Sequence, residues 1–149
     1  MIVLNIGGPT MKDNAITIQT TVNAPIEKVW ECWTRPEHIT GWAFAADDWE
    51  AKDPENNVRE GGSFKTTMAA KDGSASFDFT GVYDSIKAHE LIAYTMTDGR
   101  QVRTVFEGTP EGVHIVQVFD PEDENPLDMQ QEGWQAILDN FKKYTENAV

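Results

Sequence analysis

Residues 15 to 22, AITIQTTV, set Ile16, Ile18, Thr20 and Val22 at alternate positions, the pattern of a strand buried on one face. The period then changes. Ile26, Val29, Trp30 and Trp33 stand at i, i+3, i+4 and i+7, one stripe of a short amphipathic helix. Pro25 suits its first position and Glu27 its first turn. Pro36 ends that helix and opens a second over PEHITGW, which Gly41 closes. From about residue 44 the chain reads as β. Residues 47 to 53 predict a short strand followed by a turn at PENN. GSFKTTMAA alternates Phe64, Thr66 and Met68 against Lys65 and Thr67, and KDG at 71 to 73 is a hairpin turn. In SFDFTGVYDSI, Phe77 and Phe79 alternate with Asp78 and Thr80, and Gly81 marks a bend or bulge. ELIAYTMT, RQVRTVFE and GVHIVQVFD predict three more strands, joined by DGR (98 to 100) and TPEG (109 to 112). Turns this short make their neighbours antiparallel. Near the end, Asn125 is expected to cap a helix and Pro126 to take its first position. Trp134, Ile137, Leu138, Phe141 and Tyr144 then form an apolar stripe on a helix of roughly 20 residues, about 30 Å long.

The order β-α-α, five or six strands, then α defines an α+β fold: a curved antiparallel sheet of six or seven strands gripping a long C-terminal helix, with two short helices after the first strand. A curved sheet under one helix commonly encloses a cavity.

At 149 residues the chain suits one domain able to bury about 70% of its unfolded surface. Residues 1 to 13 lack a basic n-region and carry only a short apolar run. They are expected to be a disordered tail, with Met11 an alternative start, and 14 to 149 the domain. A single cysteine, Cys32, forms no intramolecular disulfide and points to the reducing cytoplasm. No segment approaches the roughly 20 apolar residues of a membrane span. The net charge of −13 repels phosphate backbones and anionic lipid heads, which argues against nucleic-acid and membrane-surface roles. Metal is not expected either: His38, His89 and His114 are far apart, and neither HExxH nor paired-cysteine spacing occurs. No cofactor motif is present; GGPTMK lacks Walker spacing.

Val22-Asn23-Ala24-Pro25 with Val29-Trp30 and Trp33-Thr34, Phe79-Thr80-Gly81, Asp98-Gly99-Arg100, and Glu132-Gly133-Trp134 with Leu138 and Phe141 form a pattern over residues 15 to 146. It resembles the helix-grip fold of the START-like (SRPBCC) superfamily, in the branch named after the activator of the heat-shock chaperone ATPase. The resemblance implies a pocket for a small apolar or amphipathic molecule and leaves its contents open. Some members catalyse cyclisation or hydrolysis without a cofactor, a second reading. A chaperone-interacting module is the third, although the full co-chaperone has a further domain that these residues do not include. Monomer and homodimer both remain open.

The candidate cavity residues are Trp42, Phe44, Phe64, Met68, Phe79, Tyr94, Arg103, Phe106, Gln117, Phe119, Gly133, Trp134 and Ile137. Trp30 and Trp33 share their stripe with Ile26 and Val29 and read as core, whereas Trp42 falls at the mouth. Gly133, inside a helix, costs about 1 kcal/mol relative to alanine, so room for a ligand beside Trp134 is one account of it. In the strand 113 to 119 both faces are apolar, so either Gln117 or His114 could point inward. Acid–base chemistry has candidates by residue type alone in Asp47, Asp78, Glu107 and His114. Cys32, beside the tryptophan stripe, is expected to be a buried, inert thiol.

Overall fold

The computed structural model describes residues 12 to 148. Its elements are β1 (Ile16–Val22), α1 (Ile26–Thr34), α2 (Pro36–Ile39), β2 (Trp49–Asn56), β3 (Ser63–Ala70), β4 (Ser76–Lys87), β5 (Leu91–Met96), β6 (Gln101–Thr109), β7 (Gly112–Phe119) and α3 (Leu127–Asn147). The strands form one seven-stranded sheet in the order β1-β7-β6-β5-β4-β3-β2, every neighbour antiparallel. Of the expected tail, residues 1 to 11 and the alternative start at Met11 lie outside the described residues. Lys12 donates its backbone N–H to Asp120 Oδ1 at 2.9 Å.

Register fixes which side chains meet. Ile16 faces Phe119, Ile18 faces Gln117 and Val22 faces Val113 across β1 and β7. Val102, Thr104 and Phe106 of β6 oppose Phe119, Gln117 and Ile115. This face, extended by Ile92, Tyr94 and Met96 of β5, is the concave one. Most of its apolar members belong to the core shared with Val29, Trp42, Leu138 and Phe141. His114 points the other way and hydrogen-bonds Thr21 Oγ1 at 3.0 Å.

Four local expectations are corrected. Pro25 and Pro126 are N-caps with extended backbone, not first helical residues. Asn125 makes no cap bond; its side chain donates to Glu122 Oε1 at 2.9 Å. The buried Gln130 does the anchoring instead, accepting from Glu122 N–H at 2.8 Å and donating to the carbonyls of Glu122 and Asn125. The PENN segment belongs in part to β2, which runs on to Asn56 through an irregularity between Lys52 and Glu55, where Asp53 has φ +52°. Finally, the bulge in β4 lies between Tyr83 and Ser85 and not at Gly81. Gly81 keeps register with both Phe64 and Met96, and a Cβ there would stand 2.6 Å from the Thr95 carbonyl oxygen.

Helix α3 leans on the β1 edge of the sheet. Gln131, Gln135 and Lys142, spaced along one side of the helix, donate to the carbonyls of Thr17, Gln19 and Thr21. Those alternate oxygens face outward from the edge strand and would otherwise be open to another strand. The opposite edge, β2, is broken by its irregularity and by Pro54, which has no N–H to offer.

Candidate functional site

Because α3 sits toward β1, the concave face of β3, β4 and β5 is only partly covered. The uncovered part is a cavity of about 670 Å³ between sheet and helix, within the range of small-molecule sites. Its walls follow the strand alternation: Phe64, Thr66 and Met68 from β3; Phe77, Phe79 and Tyr83 from β4; Ile92, Tyr94 and Met96 from β5; Gln117 from β7. Trp134, Ile137 and Leu138 of α3 close one side, and Trp33, Ile39, Trp42 and Ala43 close the end under the short helices.

The aromatic rings brace one another. Phe64 sits 4.8 Å from Tyr94, 5.2 Å from Tyr83 and 5.6 Å from Phe79, centroid to centroid. Trp134 stacks on Phe119 at 4.0 Å and touches the Phe79 ring edge-on at 6.3 Å. Trp42 is a fixed wall: it is buried and its Nε1–H donates to the Cys32 carbonyl at 2.9 Å.

Polar groups are few and placed at particular points. At the β2 end, the Tyr83 hydroxyl donates to Asn56 Oδ1, whose amide donates in turn to the Thr34 carbonyl at 2.7 Å. On the floor, Gln117 Nε2 donates to Thr104 Oγ1 at 2.9 Å, both side chains being buried. At the hairpin between β5 and β6, Arg100 lines the cavity and donates through Nε to Asp98 Oδ2 at 2.9 Å. Glu55 and Asp78 are exposed at the rim, where Asp78 accepts from Thr67 Oγ1 and lies 3.8 Å from Lys65 Nζ.

Burial sets the electrostatics. It pushes Tyr83 up to about 12, the Asn56 hydrogen bond opposing the rise. Burial raises Tyr94 further still; the neighbouring Tyr83 adds to this and the Arg100 charge works against it. At Asp98, partial burial acts upward but is outweighed by the Arg100 hydrogen bonds and charge, which hold the carboxyl below its ordinary value. Cys32 is buried away from the cavity, and burial raises its thiol.

Of the sequence-selected residues, Trp42, Phe64, Met68, Phe79, Tyr94, Gln117, Trp134 and Ile137 line the cavity. Five do not, and each has a physical reason. Arg103 lies on the convex face of β6, opposite in parity to Val102 and Thr104. Phe106 is filled over by Trp30 and Trp33, each 5.4 Å away. Phe119 is covered by the Trp134 ring. Phe44 lies beyond the wall, its carbonyl accepting from Asn140 Nδ2. Gly133 is absent from the lining, and a Cβ placed on it would meet nothing within 4 Å. The acid–base candidates Asp47, Glu107 and His114 also lie outside the cavity, and its lining includes no histidine.

Sequence reasoning missed Trp33, Thr66, Tyr83, Ile92, Met96 and Arg100. Alternation alone could have found all but Trp33, which lies on α1: Thr66, Tyr83, Ile92 and Met96 share strand parity with residues already chosen, and Arg100 with Val102, Thr104 and Phe106. Among the described residues no group of three or more His, Cys, Asp or Glu side chains is arranged to hold a metal, and no helix is long and apolar enough to cross a membrane.

Sheet, long helix and the cavity between them together define a helix-grip protein. The family model described as "Activator of Hsp90 ATPase homolog 1-like protein" matches residues 23–146, and the chain belongs to that family. Among solved structures it is similar to the AHSA1-like protein of Aeromonas hydrophila, at 41% identity over 90% of this chain and 93% of that one, with a TM-score of 0.85. It is similar also to Chr148 of Cytophaga hutchinsonii, at 55% identity over the same shares, with a TM-score of 0.79. CV1439 of Chromobacterium violaceum, at 22% identity over 91% of this chain and 99% of that one (TM-score 0.81), shares the fold. None of the curated proteins compared with the chain matches it.

Proposed function

We propose that this chain binds a small, largely apolar molecule in the cavity between β3–β5 and α3. One observation carries the reading. About 670 Å³ of space is left inside a shell of mutually braced aromatic rings that would pack more tightly if stability alone had shaped them. The lining supplies apolar area for affinity, and Gln117, Tyr83 and Arg100 supply the small number of polar groups that orient a ligand. The free, buried Cys32 agrees with a reducing compartment, and we place the protein in the cytoplasm, with residues 14 to 149 as its folded domain.

The test is thermal denaturation of the purified chain against a panel of lipids, sterols and aromatic polyketide-like compounds. A ligand present at about 100 times its Kd adds about 2.7 kcal/mol of stability. Its effect should disappear in Thr66→Trp, where the large side chain occupies the cavity from the middle of β3. Equal stabilisation of that variant would place the binding elsewhere, and a panel without hits would shift weight to a protein partner for this family.

A further inference from the structure

We infer that the ligand carries a carboxylate head, and that Arg100 and Tyr94 together receive it while its apolar body lies among Phe64, Phe79, Met96 and Trp134. This rests on the cavity reading above and adds the chemical class.

The inference begins from strand register. Tyr94 of β5 opposes Val102 of β6, and the Met96 N–H donates to the Arg100 carbonyl at 2.7 Å across the hairpin. Arg100 is thus two residues along from the partner of Tyr94, on the same concave face. That is the diagonal relation in which side chains stand roughly 7–8 Å apart at their origins and long ones can converge. The electrostatic influence of Arg100 on Tyr94 agrees with such closeness.

Both residues have donors to spare. Tyr94 is 9% exposed and lines the cavity, yet no described residue hydrogen-bonds its hydroxyl. The hydroxyl is not sealed inside the protein, so its donor is available to an acceptor held in the cavity. Arg100 uses Nε on Asp98, and no described residue accepts from its two terminal nitrogens. The guanidinium edge left over is the fork that takes a planar carboxylate through two parallel hydrogen bonds. Asp98 also takes the Arg100 backbone N–H at 3.1 Å, so it holds the side chain in place from the solvent side, its own side chain being 54% exposed.

Charge sorts the candidates for the head. Arg100 is the one cation among the cavity-lining residues, while Glu55, Asp78 and Asp98 surround the mouth. A positively charged head would find these acids without needing Tyr94. A neutral head would leave the terminal guanidinium nitrogens unmatched. A single carboxylate matches both free donors and adds one negative charge at the point where a positive one stands.

The experiment compares decanoate with decan-1-ol, two probes of nearly the same apolar body, by titrating the quenching of tryptophan fluorescence. In the native chain decanoate should bind at least about tenfold more tightly, an effect of about 1.4 kcal/mol. Arg100→Gln should abolish that preference and leave decan-1-ol binding within twofold. Tyr94→Phe should weaken decanoate by a smaller factor. Asp98→Asn removes the competing carboxylate, keeps the cation and retains an amide oxygen for the Arg100 Nε–H, so it should hold or tighten decanoate binding even if Arg100→Gln proves unstable. Loss of the acid preference in the folded Asp98→Asn chain would overturn the carboxylate head. Equal binding of both probes to the native chain, or an acid preference that survives in folded Arg100→Gln, overturns the carboxylate head and leaves the cavity reading standing. Failure of both probes to bind overturns the two together.

Discussion

Two aromatic clusters of nearly equal density meet at the cavity, one standing over the concave face and one on it, and they do different things. Under the short helices, Trp33 lies 5.1 Å from Trp42 and 4.8 Å from Phe141, and Trp42 lies 4.9 Å from Phe141. Around β3 to β5, Phe64 lies 4.8 Å from Tyr94 and 5.2 Å from Tyr83. Ring spacing does not distinguish them. What differs is the second side of each cluster. The first is sandwiched between α1, the loop after α2 and α3, so its rings fill the space. The second has only the flank of α3 opposite, because that helix is drawn to the β1 edge by Gln131, Gln135 and Lys142. Aromatic content therefore measures available surface, and the placement of one helix decides whether that surface becomes core or cavity.

The largest test of the contrast is a pair of truncations. Phe141 is fully buried, so Phe141→Ala should cost about 3–5 kcal/mol and leave a denaturation midpoint far below the native one. Phe79 is only half-buried, and Phe79→Ala should cost about 1 kcal/mol while removing ligand-induced stabilisation. Equal costs at the two sites, read from urea unfolding, would mean that the cavity is closed and packed in solution.

The two clusters should also answer differently to alkaline pH. A tyrosine whose pKa is raised on folding contributes stability that is complete below its unfolded value, near 10, and is lost as pH climbs toward the folded value. For Tyr83 that window runs from about 10 to about 12, with up to about 3 kcal/mol at stake. Tyr94 extends the loss to higher pH. Beside the tryptophan cluster the raised groups are Cys32 and the Tyr144 phenol, each raised chiefly by burial. Tyr94→Phe, which forfeits no hydrogen bond to a described residue, should flatten the decline in stability above pH 10. An unchanged slope would show that Tyr94 is already solvated in the native state.

How much of this was legible in sequence follows the same division. The packed cluster announced itself: Ile26, Val29, Trp30 and Trp33 recur at helical spacing, and the α3 stripe runs through Leu138 and Phe141. The cavity was harder to read because its lining mixes apolar and polar residues. Asn56 and Thr80 look like solvent-facing positions until a second wall is placed across from them. Strand β7 is apolar on both faces, so only the pairing of Gln117 with Ile18 and Thr104 shows which side is inward. Arg103 stands out in sequence because it lies inside an obvious strand, whereas Arg100 sits where the DGR turn meets the start of RQVRTVFE. Its parity with Val102, Thr104 and Phe106 was the available signal. In sequence, Asp53-Pro54 and the asparagines that follow mimic a turn inside what is a continuing strand.

At the seam where the Phe64 ring presses on β4, Gly81→Ala sharpens the comparison. The new methyl would stand 2.6 Å from the Thr95 carbonyl oxygen and 2.7 Å from the Phe64 ring. The backbone oxygen is held by the sheet, so strand and ring must both shift, and the Phe64 ring lines the cavity. The expected cost is about 1–3 kcal/mol, with a loss of ligand affinity. Undiminished affinity would show that the Phe64 ring does not border the occupied volume.

The smallest effect comes from Gly133, one of the five sequence-selected positions that lie outside the lining. Sequence suggested that a glycine inside α3 makes room for a ligand beside Trp134. In the structure Trp134 fills that role alone, its ring lying over Phe119 and reaching Phe79, while a Cβ at 133 would point into open space. Gly133→Ala therefore removes the backbone freedom of glycine at no steric cost. It should stabilise the chain by about 1 kcal/mol, a rise in Tm of about 2–4 °C for a chain of this size. Binding of whatever ligand the screen identifies should be unchanged. A loss of binding with normal folding would instead extend the site past Trp134 along the helix, and the sequence-based expectation would have been the better guide.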